Sequence, residues 1–504
     1  MSPEGVQVAP AFAAGAVRDI AVIDIGSNSI RLVLFRLEGR ALFPMFNEKT
    51  MAALGRGANE TGRLNPDGVE AAIRTLKRFR SLLDAKAIEE RHIVATAAVR
   101  TCEDGPAFAA RVERECGLKV QVLSGEEEGR LSAAGVVAGI GDCDGVAGDL
   151  GGSSLELTPV SGRNVGTSLS LALGPLAVLD EKSPREIKPV IDEILERAAP
   201  ILDRPGPVFY AVGGAWRAFA HLAMAGEGHP LEVLHEYALP REDVFKYADF
   251  AATQSEASLA ATPGVSSKRA ATLPYAAQLL KRVVKRGGFE RVVFSANGLR
   301  EGVVFAADPR LYIDGDPLLS GAEALVAAVS PEPGFGIRLA DWIEPVFETE
   351  REVFSRSRDK VLRAAAARLT DYGVRFHPDH RADLTSTQML YAPLSGLSHP
   401  ERAFLALALH HRYAGKAARP ETCPSRRLVD DEAEGVALRL GLALRLGAAL
   451  SGRTAALLDH FRLERSGDEL VLRVAAGMED TAVERALQRL DQLASAMDLK
   501  PKVV

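Results

Sequence analysis

The chain of 504 residues is 47% hydrophobic and 25% charged, an ordinary balance for a globular protein with room for about three domains. Its net charge of −6 gives no global attraction for nucleic acid or membrane, so a polyanionic partner has to be held by local positive groups. No run of about 18 uncharged apolar residues occurs, so no membrane span is expected.

Residues 1–17 include the mildly signal-like VQVAPAFAAGAV. Glu4 stands where a basic n-region belongs, and a strand pattern follows at once, so a short flexible N-terminus is expected. From residue 18 to about 310, strand-like and helix-like segments alternate, the pattern of an α/β fold with helices packed on mixed sheets. The first strands, DIAVID and IRLVLFRL, enclose Asp24-Ile25-Gly26-Ser27-Asn28-Ser29. A strand that delivers an acid to its end and turns on glycine leaves backbone N–H groups free to close around phosphate oxygens. Serine and asparagine add further donors. The acid suits such a place only if it binds a hydrated Mg²⁺ or polarises a water. A plain β-hairpin turn with an Asx bond is the alternative.

Next come the helix VEAAIRTLKRFRSLLDAK, the strand RHIVATA ending at Thr96, and Arg100 just beyond, a residue type suited to bidentate phosphate contact. After the helix PAFAARVERECG and the strand KVQVL stands LSGEEEGRLSAAGVV. Ser124 and Glu127 have the spacing of a capping box, and Glu126 suits the first turn of a helix. Glu128 has no structural task by this reckoning and is a candidate base for activating water. The strand GVAGDL then delivers Asp149-Leu150-Gly151-Gly152-Ser153-Ser154, the first loop's phrase written again. A phosphate clamped between two similar halves is the simplest reason for the duplication. In FYAVGGAWRAFAHL a strand passes through Gly213-Gly214 into a helix with Arg217 in its first turn, either an anion site or close helix–sheet packing.

Beyond PRLYIDGDP the strand signals fade. Residues 318–450 read as Ala/Leu/Arg-rich helix, and 451–504 as two strands around Ser-Gly-Asp followed by an amphipathic helix. His380, Arg381, His410, His411 and Arg412 could line a guide for a polyanion, or be a solvated face with satisfied histidines. Cys102, Cys116, Cys143 and Cys423 form no C-x-x-C pair and read as thiols of a reducing cytoplasm.

In this order, DIGSNSIRLV, ATAAVR, SGEEEGR, DLGGSSLEL, AVGGAWRA and SANGLREG closely resemble the exopolyphosphatase / guanosine pentaphosphate phosphatase family. The resemblance implies two ribonuclease H-like halves of the actin-like/Hsp70-like superfamily around a cleft, at 18–136 and 137–312. It further implies an all-α HD-like domain at 318–450, a small α+β domain at 451–504, and a homodimer. Thr370-Asp371 stands where a metal-binding His-Asp pair would be, so no metal is expected there. Carried over residue by residue, Glu128 is the catalytic base with Asp24 and Asp149, and Asp149 and Glu156 hold Mg²⁺. Gly26, Ser27, Asn28 and Ser29 face Gly151, Gly152, Ser153 and Ser154 as the phosphate cradle. Arg31 and Arg269 match positions facing substrate or alarmone. Ser153 departs from the pattern, which has a third glycine there. The implied activity is release of orthophosphate from the end of inorganic polyphosphate. The alternatives are hydrolysis of guanosine pentaphosphate to tetraphosphate, a non-catalytic polyphosphate or alarmone sensor, and a kinase.

Overall fold

A computed structural model describes residues 17–179, 184–203, 206–308, 311, 315–332, 334–419, 421–479 and 484–504. The expected flexible N-terminus lies, but for its last residue, outside the described residues. The chain forms two compact units, Met1–Pro317 and Leu318–Val504.

The first unit holds two sheets built on one plan. In the first, β1 (Arg18–Ile25), β2 (Ile30–Glu38), β3 (Ala41–Thr50), β4 (Glu90–Ala95) and β5 (Gln121–Val122) lie in the order β3-β2-β1-β4-β5. β1 pairs antiparallel with β2 and parallel with β4. In the second, β6 (Cys143–Leu150), β7 (Leu155–Gly162), β8 (Asn164–Val165), β9 (Leu169–Leu171), β10 (Val208–Val212), β11 (Tyr237–Pro240) and β12 (Arg291–Phe294) take the order β11-β12-β10-β6-β7-β8, with β9 also on β7. Here β6 pairs antiparallel with β7 and parallel with β10. The central strands read as near-continuous apolar runs because both of their faces are covered.

The helix Pro66–Ala85 begins on a proline and buries Ala72, Ile73, Leu76, Phe79 and Leu83, a stripe at helical spacing. It joins Phe108 and Val112 of the helix Gly105–Cys116 in the core on one face of the first sheet. In the second half, Trp216 and Phe219 of the helix Gly214–Glu227 pack with Phe209 of β10 and with Leu280 and Val283 of the helix Leu273–Gly287.

The two remaining faces are covered by an exchange. The helix Gly125–Ile140, which follows the first sheet in sequence, puts Ala133, Val136 and Val137 against Ala147, Val160 and Tyr210 of the second. The helix Leu299–Ala307, far later in the chain, puts Val303 and Val304 against Ile20, Val22, Val33 and Val94 of the first. A boundary drawn at residue 136 therefore falls inside a helix.

The second unit is helical up to Leu450, with its longest helices at His399–Ala414 and Asp431–Leu450. It ends in β13 (Phe461–Ser466), β14 (Glu469–Val474), the helix Glu484–Ala496 and β15 (Lys500–Val503). β15 pairs parallel with β14, a third strand that the sequence pattern does not announce. No helix among the described residues is long and apolar enough to cross a membrane. All four cysteines are free thiols.

The His/Arg cluster of this unit, read from sequence as either a basic lining or a solvated face with satisfied histidines, is mostly turned inward. His410, His411 and Arg412 are buried. His411 Nδ1 lies 2.7 Å from Gly415 O and His410 Nε2 3.0 Å from Ala417 O, so both close the end of their helix. Arg412 Nε donates to Thr370 Oγ1 at 2.8 Å, while Asp371 accepts from Ser330 at 3.2 Å. Of the five residues, only His380 is exposed.

Burial lowers the His411 imidazole from 6.5 to about 4, with the Gly415 hydrogen bond acting against it. The unfolded chain binds this proton before the folded one does, so the contribution of neutral His411 is lost as pH falls from 6.5 through about 4. The shift corresponds to about 3 kcal/mol. Urea denaturation at a series of pH values is expected to give a shallower decline over that window for His411→Gln than for the wild type, whatever its stability at pH 7.

Candidate active site

Both echoed loops are hairpin turns, and each is closed the same way. Gly26 N–H donates to Ser29 O at 3.0 Å, and Gly151 N–H to Ser154 O at 2.9 Å. The turns also meet, because Ser153 Oγ lies 3.3 Å from Ser27 Oγ. Each loop is thus a hairpin, and the two hairpins meet at this hydroxyl contact.

Strand register sets what stands behind each turn. Residues directly opposite on antiparallel strands share a face. In the first sheet Asp24 pairs with Arg31, and Arg31 pairs in turn with Lys49. In the second, Asp149 pairs with Glu156, and Glu156 with Ser170. One plan therefore carries two charge patterns, acid–base–base on one side of the cleft and acid–acid–hydroxyl on the other.

Glu128 reaches this place on the helix Gly125–Ile140. Ser124 caps the helix, accepting from Glu127 N–H at 3.1 Å, and Glu127 returns the bond to Ser124 N–H at 2.8 Å. Glycine lets the helix lie against β7. A Cβ at Gly129 would fall 1.9 Å from Ser168 Oγ and 2.9 Å from Glu156 Cβ. The close approach brings Glu128 beside Glu156. Arg100 then fixes the carboxylate, its Nη1 donating to Glu128 Oε2 at 2.9 Å and to Leu123 O at 2.8 Å. Arg100, read from sequence as a phosphate ligand, spends these bonds on holding Glu128.

The acids are enclosed. Glu128 is 8% exposed and Glu156 1%. Burial, opposed by Arg100, raises the Glu128 carboxyl to about 7. Burial and then the charge of Glu128 raise Glu156 to about 8. Asp24 and Asp149 keep a little surface on the cleft but are otherwise surrounded, and burial raises both. Ser132 donates to Asp149 Oδ2 at 2.5 Å, and Ser170 to Glu156 Oε1 at 2.7 Å.

Cations gather opposite. Arg31 is lowered to about 10, first by burial and then by Arg300 and Arg217. Lys49 is lowered by burial, then by Arg269, Arg31 and Arg300. Arg217 is lowered by burial, then by Arg269 and Arg300, and its Nε is buried without a hydrogen-bond partner. The Arg269 guanidinium lies over Gly214, with Nη2 3.0 Å from where a Cβ would stand. Gly213, at φ 110°, serves packing, since a Cβ there would strike Leu150 O at 2.4 Å. Lys49 and Arg300 are additions to the residues singled out from sequence. Strand pairing with Arg31 gives Lys49 away once the fold is known, and Arg300 stands in SANGLREG, a motif to which no role was attached.

No three carboxylate, His or Cys side chains form a ready-made metal cage among the described residues. Mg²⁺ does not require one, since it takes one or two carboxylates and completes its shell with water and phosphate oxygens. Asp149 and Glu156 fit that demand. They are register partners, and Glu156 Oε2 is buried without a hydrogen-bond partner.

The family model for Ppx/GppA phosphatases matches residues 33–311, and the model for the exopolyphosphatase C-terminal region matches 318–504. Among solved structures, the chain is similar to the Ppx/GppA family member of Aquifex aeolicus, at 26% identity and a TM-score of 0.51, covering 58% of this chain and 98% of that one. An exopolyphosphatase of Cytophaga hutchinsonii shares the fold, at 23% identity and a TM-score of 0.53, covering 57% of this chain and 97% of that one. With more than half of its length matched, and with the two-sheet actin-like fold in place, the chain belongs to the Ppx/GppA phosphatase family.

Proposed function

We propose that the protein is an exopolyphosphatase, releasing orthophosphate from the end of inorganic polyphosphate. The observation that carries this reading is the juxtaposition of a buried, Arg100-held Glu128 with five cations, Arg31, Lys49, Arg217, Arg269 and Arg300, none of which closes a salt bridge among the described residues. A cleft that gathers five cations without closing them into ion pairs suits a chain of phosphates, and a carboxylate titrating near neutrality suits a general base. The C-terminal match favours polyphosphate over guanosine pentaphosphate.

The two turns hold the terminal phosphoryl group through their N–H and hydroxyl donors. The cations offset the charge of the next phosphates. Glu128 accepts a proton from a water as that water attacks phosphorus in line, and the anhydride oxygen leaves with the shortened chain. Arg100 positions Glu128 and keeps part of it ionised. Mg²⁺, held by Asp149 and Glu156, would supply charge neutralisation at the phosphoryl oxygens.

The deciding assay measures phosphate release from long-chain polyphosphate and from guanosine pentaphosphate side by side, with and without Mg²⁺. Turnover of guanosine pentaphosphate alone would make the protein an alarmone hydrolase, and turnover of neither would make it a sensor. Glu128→Gln is expected to keep fold and substrate binding while lowering kcat by about a hundredfold to ten-thousandfold. Near-wild-type kcat in that variant would remove Glu128 from the role of base. Asp149→Asn is expected to raise the Mg²⁺ concentration needed for half-maximal activity, since a hard cation loses an anionic ligand. An unchanged titration would take Asp149 out of the metal's coordination sphere. For the wild type, kcat/KM should rise with pH through about 7, the value to which burial moves Glu128. Arg100→Gln removes the group that opposes this shift and should move the rising limb to higher pH. A limb at the ordinary carboxylate value of 4.5 would contradict the assignment.

A further inference from the structure

Ser132 lies inside the helix Gly125–Ile140, one turn beyond Glu128, and is 2% exposed. A hydroxyl in a helix interior commonly donates back to the carbonyl four residues earlier. Thr75, Ser81 and Thr385 do so in their own helices, at 2.9, 3.1 and 2.6 Å. Ser132 forgoes that bond and donates to Asp149 Oδ2 at 2.5 Å, the short length of a hydroxyl on a carboxylate. Gly298 leaves room for it, since a Cβ there would crowd Ser132 Oγ at 3.3 Å. The arrangement recurs on the second acid. Ser170 of β9 donates to Glu156 Oε1 at 2.7 Å. Glycine again makes the space, because a Cβ at Gly125 would fall 2.6 Å from Ser170 Cβ and 2.9 Å from its Oγ.

Each acid of the pair is thus tied at one oxygen and open at the other. Glu156 Oε2 is buried without a hydrogen-bond partner, and Asp149 Oδ1 accepts no hydrogen bond among the described residues. Asp24 holds the corresponding place in the first sheet, has Arg31 opposite, and accepts no hydroxyl among the described residues. The hydroxyl braces therefore accompany the acid pair and are not part of the duplicated plan. A carboxylate with one oxygen held is restricted to a single bond with a cation. Ca²⁺ is large, takes about six to eight oxygens and readily uses both oxygens of one carboxylate, whereas Mg²⁺ needs a tight octahedral shell. Partners that fix a ligating side chain from behind also raise its affinity for metal.

We propose that Ser132 and Ser170 are positioning residues that hold Asp149 and Glu156 to one free oxygen each and so make this site select Mg²⁺ over Ca²⁺. The proposal rests on the assignment of this acid pair to Mg²⁺. Ser132 and Glu128 stand four residues apart on one helix, so a single element sets both the brace on Asp149 and the candidate base.

The test uses the full chain without substrate. Binding of Mn²⁺ is followed by electron paramagnetic resonance, and the bound Mn²⁺ is then displaced with Mg²⁺ or with Ca²⁺. Wild type is compared with Ser132→Ala, Ser170→Ala and Asp149→Asn, and circular dichroism establishes that each is folded. Mg²⁺ is expected to displace Mn²⁺ from the wild type at concentrations about tenfold or more below those of Ca²⁺. Each alanine variant is expected to lose about tenfold in Mg²⁺ affinity while holding or gaining Ca²⁺ affinity, so the preference shrinks. General damage to the site would weaken both ions together and leave their ratio unchanged. An unchanged ratio in both alanine variants therefore overturns the braces while the Mg²⁺ assignment stands. A wild type that prefers Ca²⁺, or binds the two ions equally, overturns them as well. Mn²⁺ binding that survives intact in Asp149→Asn, or a wild type that binds no Mn²⁺, defeats the assignment of the acid pair to metal and the braces with it.

Discussion

The site depends on strand register. Side chains alternate faces with a period of two, so a slip of one residue between β1 and β2, or between β6 and β7, would turn Arg31 away from Asp24, or Glu156 away from Asp149. The pairing of Asp24 with Arg31 and of Asp149 with Glu156 is fixed by turns of the same length, each closed by one glycine N–H. Given that frame, changes at two positions, Arg31 against Glu156 and Lys49 against Ser170, separate a cationic wall from an acidic one. The duplicated plan supplies geometry twice, and the difference at the paired position supplies chemistry once.

The frame carries a cost in stability. Four carboxylates and five cations share a partly enclosed volume, and burial works against the charged form of most of them. Such an arrangement persists because the surrounding sheets and helices determine it. The apolar cores around Phe79 and around Trp216 are independent of the charges they support. An anion among Arg31, Arg217 and Arg300 would relieve their like-charge crowding.

Much of this is legible in the sequence, for reasons that can be named. β1, β6 and β10 are apolar runs followed at once by glycine, and the capping box at Ser124 separates Glu127, which has a structural task, from Glu128, which has none. Features that depend on tertiary contact were not legible. Arg100 reads as a free phosphate ligand until Glu128 is seen beside it. Lys49 gains meaning only through its neighbour on β2. His410 and His411 look like a basic patch in a row of letters, but the helix rotates them inward to the carbonyls of Ala417 and Gly415 in the segment that follows it. The exposed tetrapeptide of β15 lacks the alternation that marks a strand, and only the partner β14 makes it one.

The exchange of helices between the sheets bears on how the chain acquires its structure during synthesis. The face of the first sheet formed by Ile20, Val22 and Val94 is completed by Val303 and Val304, nearly the whole unit later. Contacts separated this widely delay folding, because the intervening chain must be ordered before they can form. A ribosome adding residues from the N-terminus therefore exposes an apolar sheet face until Ala307 has emerged. The first sheet therefore completes this core only after the second half has been made.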